Sequence, residues 1–223
     1  MNCLNLSLNT RRALVRALSS GLLAATFGLT SGVALAAPEA PDVFIKRLTT
    51  ELLDIVKADK TILSGDVTKI GVLVDQRVMP HVNFQRMTSS AVGPGWRQAT
   101  PDQQKRLQEE FKALLVRTYA GAVSQINNQT IVVKPLRAAA DDVEVIVRTE
   151  VHGKGDPLQL DYRVEKSADA PSGWRIYNLN VMGVWLVENY RSQFAQEINA
   201  KGVDGLIASL VERNKANARV VPK

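Results

Sequence analysis

The residues able to do chemistry in this chain are few and badly spaced for it. Two histidines, His81 and His152, lie far apart, and neither has a metal-ligand partner nearby. Each reads as a helix-end or surface imidazole rather than as a ligand or a general base. No G-x-S-x-G, H-E-x-x-H, G-x-G-x-x-G or Asp-x-Asp pattern occurs. Gly153-Lys154-Gly155-Asp156-Pro157 has the composition of a phosphate loop, but it lacks the Walker spacing and a following helix, so it reads as a turn between strands. The carboxylates Glu109, Glu110, Glu144 and Glu150 occupy polar helix faces or outward strand positions, and Asn128-Gln129-Thr130 matches a glycosylation sequon of the kind many chains carry by chance. The only cysteine, Cys3, falls in a leader-like segment, which excludes disulfides and thiol chemistry from the remainder. The expectation is a protein that is not an enzyme and that uses no metal or other cofactor.

The elements that would position any site are richer. The chain has 223 residues with 28 basic and 22 acidic side chains. Arg11, Arg12 and Arg16 are the only charges in residues 1–36, so the net charge falls from +6 to +3 once those residues are set aside. That is too mild a balance for a dedicated nucleic-acid binder. Residues 1–36 read as a secretory signal, with a basic start, an apolar stretch from Ala17 to Leu35 and the exit Ala34-Leu35-Ala36. The alternative, a membrane anchor, is disfavoured by the serines, threonines and glycines in the stretch. Arg11-Arg12 leaves twin-arginine export open. Residues 37–217 are expected to form one domain, with a basic tail over 218–223.

Helical periodicity runs through the first half of that domain. Phe44, Leu48, Leu52, Ile55 and Val56 make one stripe after Pro41-Asp42, and a second helix opens at Ser64-Gly65-Asp66 and ends before Pro80. A short helix follows Asn83, and Gly93-Pro94-Gly95 breaks it. Thr100-Pro101-Asp102-Gln103 spells a capping box ahead of a long amphipathic helix. The second half alternates with period two. Residues 130–134, 143–151, 158–165 and 174–181 read as strands, and helical pattern returns at Trp185 and again around Leu206. In the fourth strand, Trp174 and Ile176 compete with Tyr177, Leu179 and Val181 for the inner face, and alternation leaves the choice open. The fold class is α+β: a four-stranded antiparallel sheet covered by N- and C-terminal helices. Its apolar face either packs into an ordinary core or closes with the helices around a cavity for an apolar ligand.

Three stretches resemble the MlaC/toluene-tolerance family of periplasmic phospholipid-binding proteins. They are VDQRVMPHVNFQRM over Val74–Met87, GWRQATPDQ over Gly95–Gln103 running on to EFKALLVRTYA over Glu110–Ala120, and GVWLVENYRSQF over Gly183–Phe194. In order and spacing the resemblance covers residues 40–217. It implies a curved sheet of nuclear-transport-factor-like shape enclosing an apolar cavity, with phospholipid bound as cargo and no cofactor. It further implies a periplasmic carrier between an outer-membrane lipoprotein–porin complex and an inner-membrane ABC transporter, maintaining outer-membrane lipid asymmetry. A monomer without nucleic-acid partners is expected. The rival readings are a binding protein for another small apolar solute and an enzyme on the same scaffold.

With that function in view, alternation nominates lining residues. From the strands these are Val145, Val147, Leu160, Tyr162, Leu179 and Val181, and from the helices Leu115, Tyr119, Leu186 and Tyr190. Arg97, Arg117 and Arg191 are candidates for the lipid phosphate or for partner docking, because a guanidinium matches phosphate geometry. The export signal gives a direct expectation: the mature protein begins at Ala37. Intact-mass measurement of the secreted form checks this, and a retained 1–36 segment refutes it.

Overall fold

The computed structural model describes residues 39–139 and 141–219. Residues 1–36, read above as an export signal, and with them Cys3, lie outside the described residues. Helix α1, Pro41–Ala58, begins where proline fits the first turn, and it buries Phe44, Ile45, Leu48 and Val56. Asp59 and Asp66 cap the short helices α2, Lys60–Leu63, and α3, Val67–Leu73, by accepting backbone N–H bonds. Pro80 has no N–H to continue the ladder, so the chain leaves α3 through a wide π turn over Val74–Val78 and a tight turn over Met79–His81. Asn83 caps α4, Phe84–Val92, and a single turn, α5, Gly95–Gln98, fills the expected break. The capping box forms at Thr100 as the sequence indicates: Gln103 N–H donates to Thr100 Oγ1 at 3.3 Å and Thr100 N–H to Gln103 Oε1 at 2.9 Å. It opens α6, Pro101–Val123.

The sheet has five strands, not four. Strands β1, Thr130–Val133, β2, Glu144–His152, β3, Leu158–Lys166, and β4, Trp174–Val181, follow in order as an antiparallel meander, and β5, Val184–Trp185, closes the far edge. Two residues are too few for alternation to reveal, which is why β5 is absent from the pattern. A two-residue turn, Met182–Gly183, joins β4 to β5 with positive φ at both positions, 53° and 86°. The competition within β4 ends in a β-bulge. Tyr162 pairs with Leu179 and Arg163 with Asn178, but Val164 pairs with Ile176, so Tyr177 has no partner across the ladder. The extra residue restores the phase, and Trp174, Ile176, Leu179 and Val181 all share the inner face.

Helix α7, Leu186–Arg219, is two arms rather than one rod. Gly202, at φ 69° and ψ −173°, breaks it. Arg213 then donates to Gln193 Oε1 at 3.1 Å and Ser209 to Glu197 Oε2 at 2.8 Å, so the second arm folds back along the first. The buried apolar residues form three clusters. Phe44, Ile45 and Leu48 of α1 pack on Val145, Val147, Tyr162, Val164, Trp174 and Ile176 of the sheet. A purely helical core gathers Phe84 and Met87 of α4, Leu107, Phe111 and Leu114 of α6, and Tyr190, Phe194, Leu206 and Leu210 of α7. Val56, Ile62, Ile70 and Ala120 tie α1, α2, α3 and α6 together.

Gly202 occupies a region of φ/ψ essentially reserved for glycine, and an added Cβ there would meet nothing within 4 Å. Gly202→Ala is therefore a pure backbone penalty, expected to cost about 1–3 kcal/mol in urea unfolding. Gly71→Ala, in α3 with equally open space, is expected to gain up to about 1 kcal/mol. His81 supplies a pH expectation. Its ring lies 5.5 Å from the Phe44 ring, and its Nδ1 is buried without a partner among the described residues. Burial lowers its pKa below the ordinary histidine value; Arg47 adds to this while Glu51 and Glu39 oppose it. The folded state disfavours the imidazolium, so this contribution is present above the unfolded pKa of about 6.5 and is lost as pH falls below it. Urea midpoints from pH 7 to 5 should fall more steeply for the unaltered chain than for His81→Phe; equal slopes contradict the assignment.

Candidate functional site

The inner face of the sheet is covered unevenly. Val145, Val147 and Tyr162 lie beneath the first half of α1, with Val147 at 0 % exposure. Burial pushes the Tyr162 phenol far above its ordinary pKa. Leu160 and Leu179 are only half-buried at the border of that cluster, and Val181, Val151 and Leu158 are half-buried beyond it. These five belong to one end of the sheet, since Leu160 pairs with Val181 and Leu158 with Val151. That end carries the β2–β3 turn and the Met182–Gly183 turn.

The helical candidates stand on a different layer. Tyr190 is part of the helical core, Leu115 packs against it, Leu186 is buried and Tyr119 is half-buried. The layers form a circuit: α1 packs on β1 and β2, α2 and α3 follow α1, α3 packs on α6, α6 on α7, and α7 on β4. Across that circuit α6 meets the sheet nowhere over an extended contact among the described residues. Val82 is the one described side chain packed against both the sheet cluster and the helical core. It sits where the chain pairs with the edge of β4, with Asn83 N–H donating to Ile176 O at 2.8 Å. The sequence-nominated residues thus divide between two apolar groups, one of the sheet and α1 and one of the helices, with Val82 packed against both.

The three arginines do not converge. Arg97 is exposed on α5, beside the start of α6, where Gln104 donates to the Trp96 carbonyl at 2.9 Å. Arg117 lies about 24 Å along α6 from Pro101, at 1.5 Å per residue, and it donates to the Asn214 carbonyl of the returning α7 arm. Arg191 donates through Nε to the Ser90 carbonyl at 2.8 Å. One phosphate cannot engage all three.

Sequence reasoning passed over two other arginines that the outer face makes prominent. Arg86 of α4 lies 3.6 Å from the centroid of the bulged Tyr177 ring, and pairs with Glu144 at 2.8 Å and with Glu165. The Arg86 hydrogen bond, with help from Tyr177, holds the Glu144 carboxyl below its ordinary pKa. Asn83 also donates to Glu165 at 2.7 Å. Arg163 of β3 stacks 4.0 Å from the Trp185 ring and pairs with Glu188, which also accepts from Asn178 at 2.7 Å. A bulge that brings an aromatic ring outward was the only signal available for the first, and alternation alone could not announce it.

A surface groove of about 550 Å³ runs along α1, lined by Val43, Lys46, Arg47, Thr50, Glu51, Asp54 and Ile55. Among the described residues no three His, Cys, Asp or Glu side chains come close enough to hold a metal ion, and no helix is long and apolar enough to cross a membrane.

Comparison with known proteins bears on this arrangement. The chain is similar to a phospholipid-binding protein of Ralstonia solanacearum, solved in complex with a phospholipid: 46% identity, TM-score 0.76, covering 79% of this chain and 98% of that one. It is 29% identical over 170 residues to the toluene tolerance protein ttg2D of Pseudomonas putida, covering 75% of this chain and 77% of the relative. It is 21% identical over 175 residues to the intermembrane phospholipid transport system binding protein MlaC of Haemophilus influenzae, covering 78% and 82%. The family model described as MlaC protein matches residues 46–212, well over half of the sequence, and the chain belongs to the MlaC family.

Proposed function

We propose that this protein is a periplasmic phospholipid carrier whose acyl-chain site is the space between the sheet and the α6–α7 layer. The observation that carries the reading is the likeness to the Ralstonia solanacearum protein, whose structure holds a phospholipid and nearly all of which this chain covers. The half-buried residues Leu160, Leu179 and Val181 form one wall, with Leu115, Tyr119, Leu186 and Tyr190 opposite. Val145, Val147 and Tyr162 are the floor under α1. The curved sheet and its helices then enclose an apolar cavity of nuclear-transport-factor-like shape. Of the three arginines, Arg97 is the one whose guanidinium carries no partner among the described residues, and it serves docking or the phosphate; Arg117 and Arg191 hold helices together.

Physical chemistry says what such a carrier must do. Each buried methylene is worth roughly 0.8 kcal/mol, so two chains of about fifteen methylenes represent on the order of 24 kcal/mol against escape into water. Non-covalent affinity saturates near about −18 to −21 kcal/mol, and cargo bound that tightly would never be released. Loading and unloading therefore occur in contact with membrane partners: a lipoprotein–porin complex in the outer membrane and an ABC transporter in the inner one, with outer-membrane lipid asymmetry as the result. The chain acts as a monomer, and its chemistry is binding, without catalysis.

The test is solvent extraction and mass spectrometry of protein purified without detergent, expected to give diacyl phospholipid near one equivalent. Two variants separate the wall from the floor. Leu160→Arg can extend its charge toward the open end of the sheet, and is expected to fold cooperatively while losing lipid. Val147→Arg buries an unpaired charge under α1 and is expected to be insoluble or unfolded. A Leu160→Arg protein that folds and retains full lipid content places the site elsewhere.

A further inference from the structure

The turn between β4 and β5 contradicts its own geometry. Two-residue hairpin turns with positive φ at both positions favour Asn-Gly, Asp-Gly or Gly-Gly. Here the first position is Met182, the one described non-glycine residue with positive φ. Its side chain is 70 % exposed, and Val184 beside it is 51 % exposed. The backbone is stabilised locally, since Asn180 Oδ1 accepts from Gly183 N–H at 2.8 Å and Met182 N–H donates to Gln159 O at 3.0 Å. No buried contact accounts for a large apolar residue in a strained position. Other exposed apolar residues, such as Val43, Val72 and Val143, are scattered singly over the surface, where they need no explanation.

The surroundings say what the tip meets. The bond to Gln159 places Met182 beside the β2–β3 turn, which carries exposed Lys154 and Asp156. Lys57 joins the same end, donating to Gln129 O at 2.8 Å next to Gly153. Lys154 and Lys57, on a chain of net charge +3 once residues 1–36 are set aside, complement an anionic surface. The tip also continues the inner face directly: Val181 precedes Met182 and pairs with half-buried Leu160. An apolar projection rimmed by lysine is how a peripheral protein engages a lipid interface.

We propose that the Met182–Val184 tip, flanked by Lys154 and Lys57, is a docking surface for an anionic phospholipid bilayer, seating the open end of the sheet on the leaflet. The proposal rests on the carrier reading above for its purpose, but its test does not. The leaderless chain is floated with vesicles of phosphatidylglycerol and phosphatidylcholine in equal parts, and with phosphatidylcholine alone, at low and high salt. The unaltered chain is expected to float with the anionic vesicles at low salt and to dissociate in high salt. Met182→Asn suits the turn better, so it should melt at the same or a higher temperature and keep its lipid load, yet float on the order of tenfold less. Lys154→Glu should weaken flotation at low salt only. Failure of the unaltered chain to float, or either variant floating like it, overturns the proposal, including in favour of a protein-docking role. A chain that floats as expected but purifies without phospholipid removes the carrier reading and leaves the docking surface standing.

Discussion

A strand shows alternate residues to opposite faces, and β4 has two apolar series of opposite parity. Without an interruption, either Trp174 and Ile176 or Leu179 and Val181 would point outward, exposing large apolar surface on one side and leaving a gap on the other. The bulge at Tyr177 resolves the conflict by letting one residue drop out of the ladder. Everything on the inner face depends on this change of phase. The buried end under α1 uses Trp174 and Ile176, while the half-buried end uses Leu179 and Val181. One strand thus contributes to both the buried and the half-buried end of that face.

The bulged residue has a second consequence. Tyr177 turns its ring toward Arg86, and so the position that corrects the inner face also anchors α4 to the outer one. Arg163 and Trp185 do the same for the start of α7. These contacts are partly exposed. A cation–π pair of this kind is worth about 0.5–2 kcal/mol, and an exposed ion pair about 0–1 kcal/mol. Each layer, by contrast, is held within itself by fully buried phenylalanine, leucine and valine, where a single truncation costs about 2–5 kcal/mol. The sheet–α1 layer and the α4–α6–α7 layer are therefore each robust, and these partly exposed polar contacts are the weaker part of the join between them.

The elements of this fold were largely legible in the sequence because local rules governed them. Pro41, Asp66, Asn83 and the Thr100–Gln103 box begin helices as their chemistry requires, and strict alternation marks β2 and β3. What stayed hidden was non-local or too short. β5 offers two residues, and the reversal of α7 at Gly202 interrupts no apolar period strongly enough to show which way the second arm runs. The candidate wall was legible only as a face. Alternation assigns Val147 and Leu160 to the same side of the sheet, but it cannot say that α1 stops short of covering the second. Arg86 looked like any exposed charge on a short helix, because its partners come from β2, β3 and a bulge that no pattern predicts.

The proposed carrier role also accounts for how little of this chain looks reactive. An enzyme concentrates titratable groups where charge develops, and their burial must be compensated. A carrier must present the opposite: apolar walls whose binding energy spreads over many weak contacts, each about 0.1–0.2 kcal/mol, so that no single group need break for cargo to leave. Charge inside such walls would either demand a partner or repel the chains. Two of the buried polar residues, Asn178 and Asn180, are accordingly turned away from the inner face. Asn178 accepts from Leu179 N–H at 2.9 Å and Val187 N–H at 3.2 Å, and Asn180 serves the β4–β5 turn. Their work is to hold the β4 edge and the first turn of α7 in place, so that polarity builds the frame and leaves the interior to carbon.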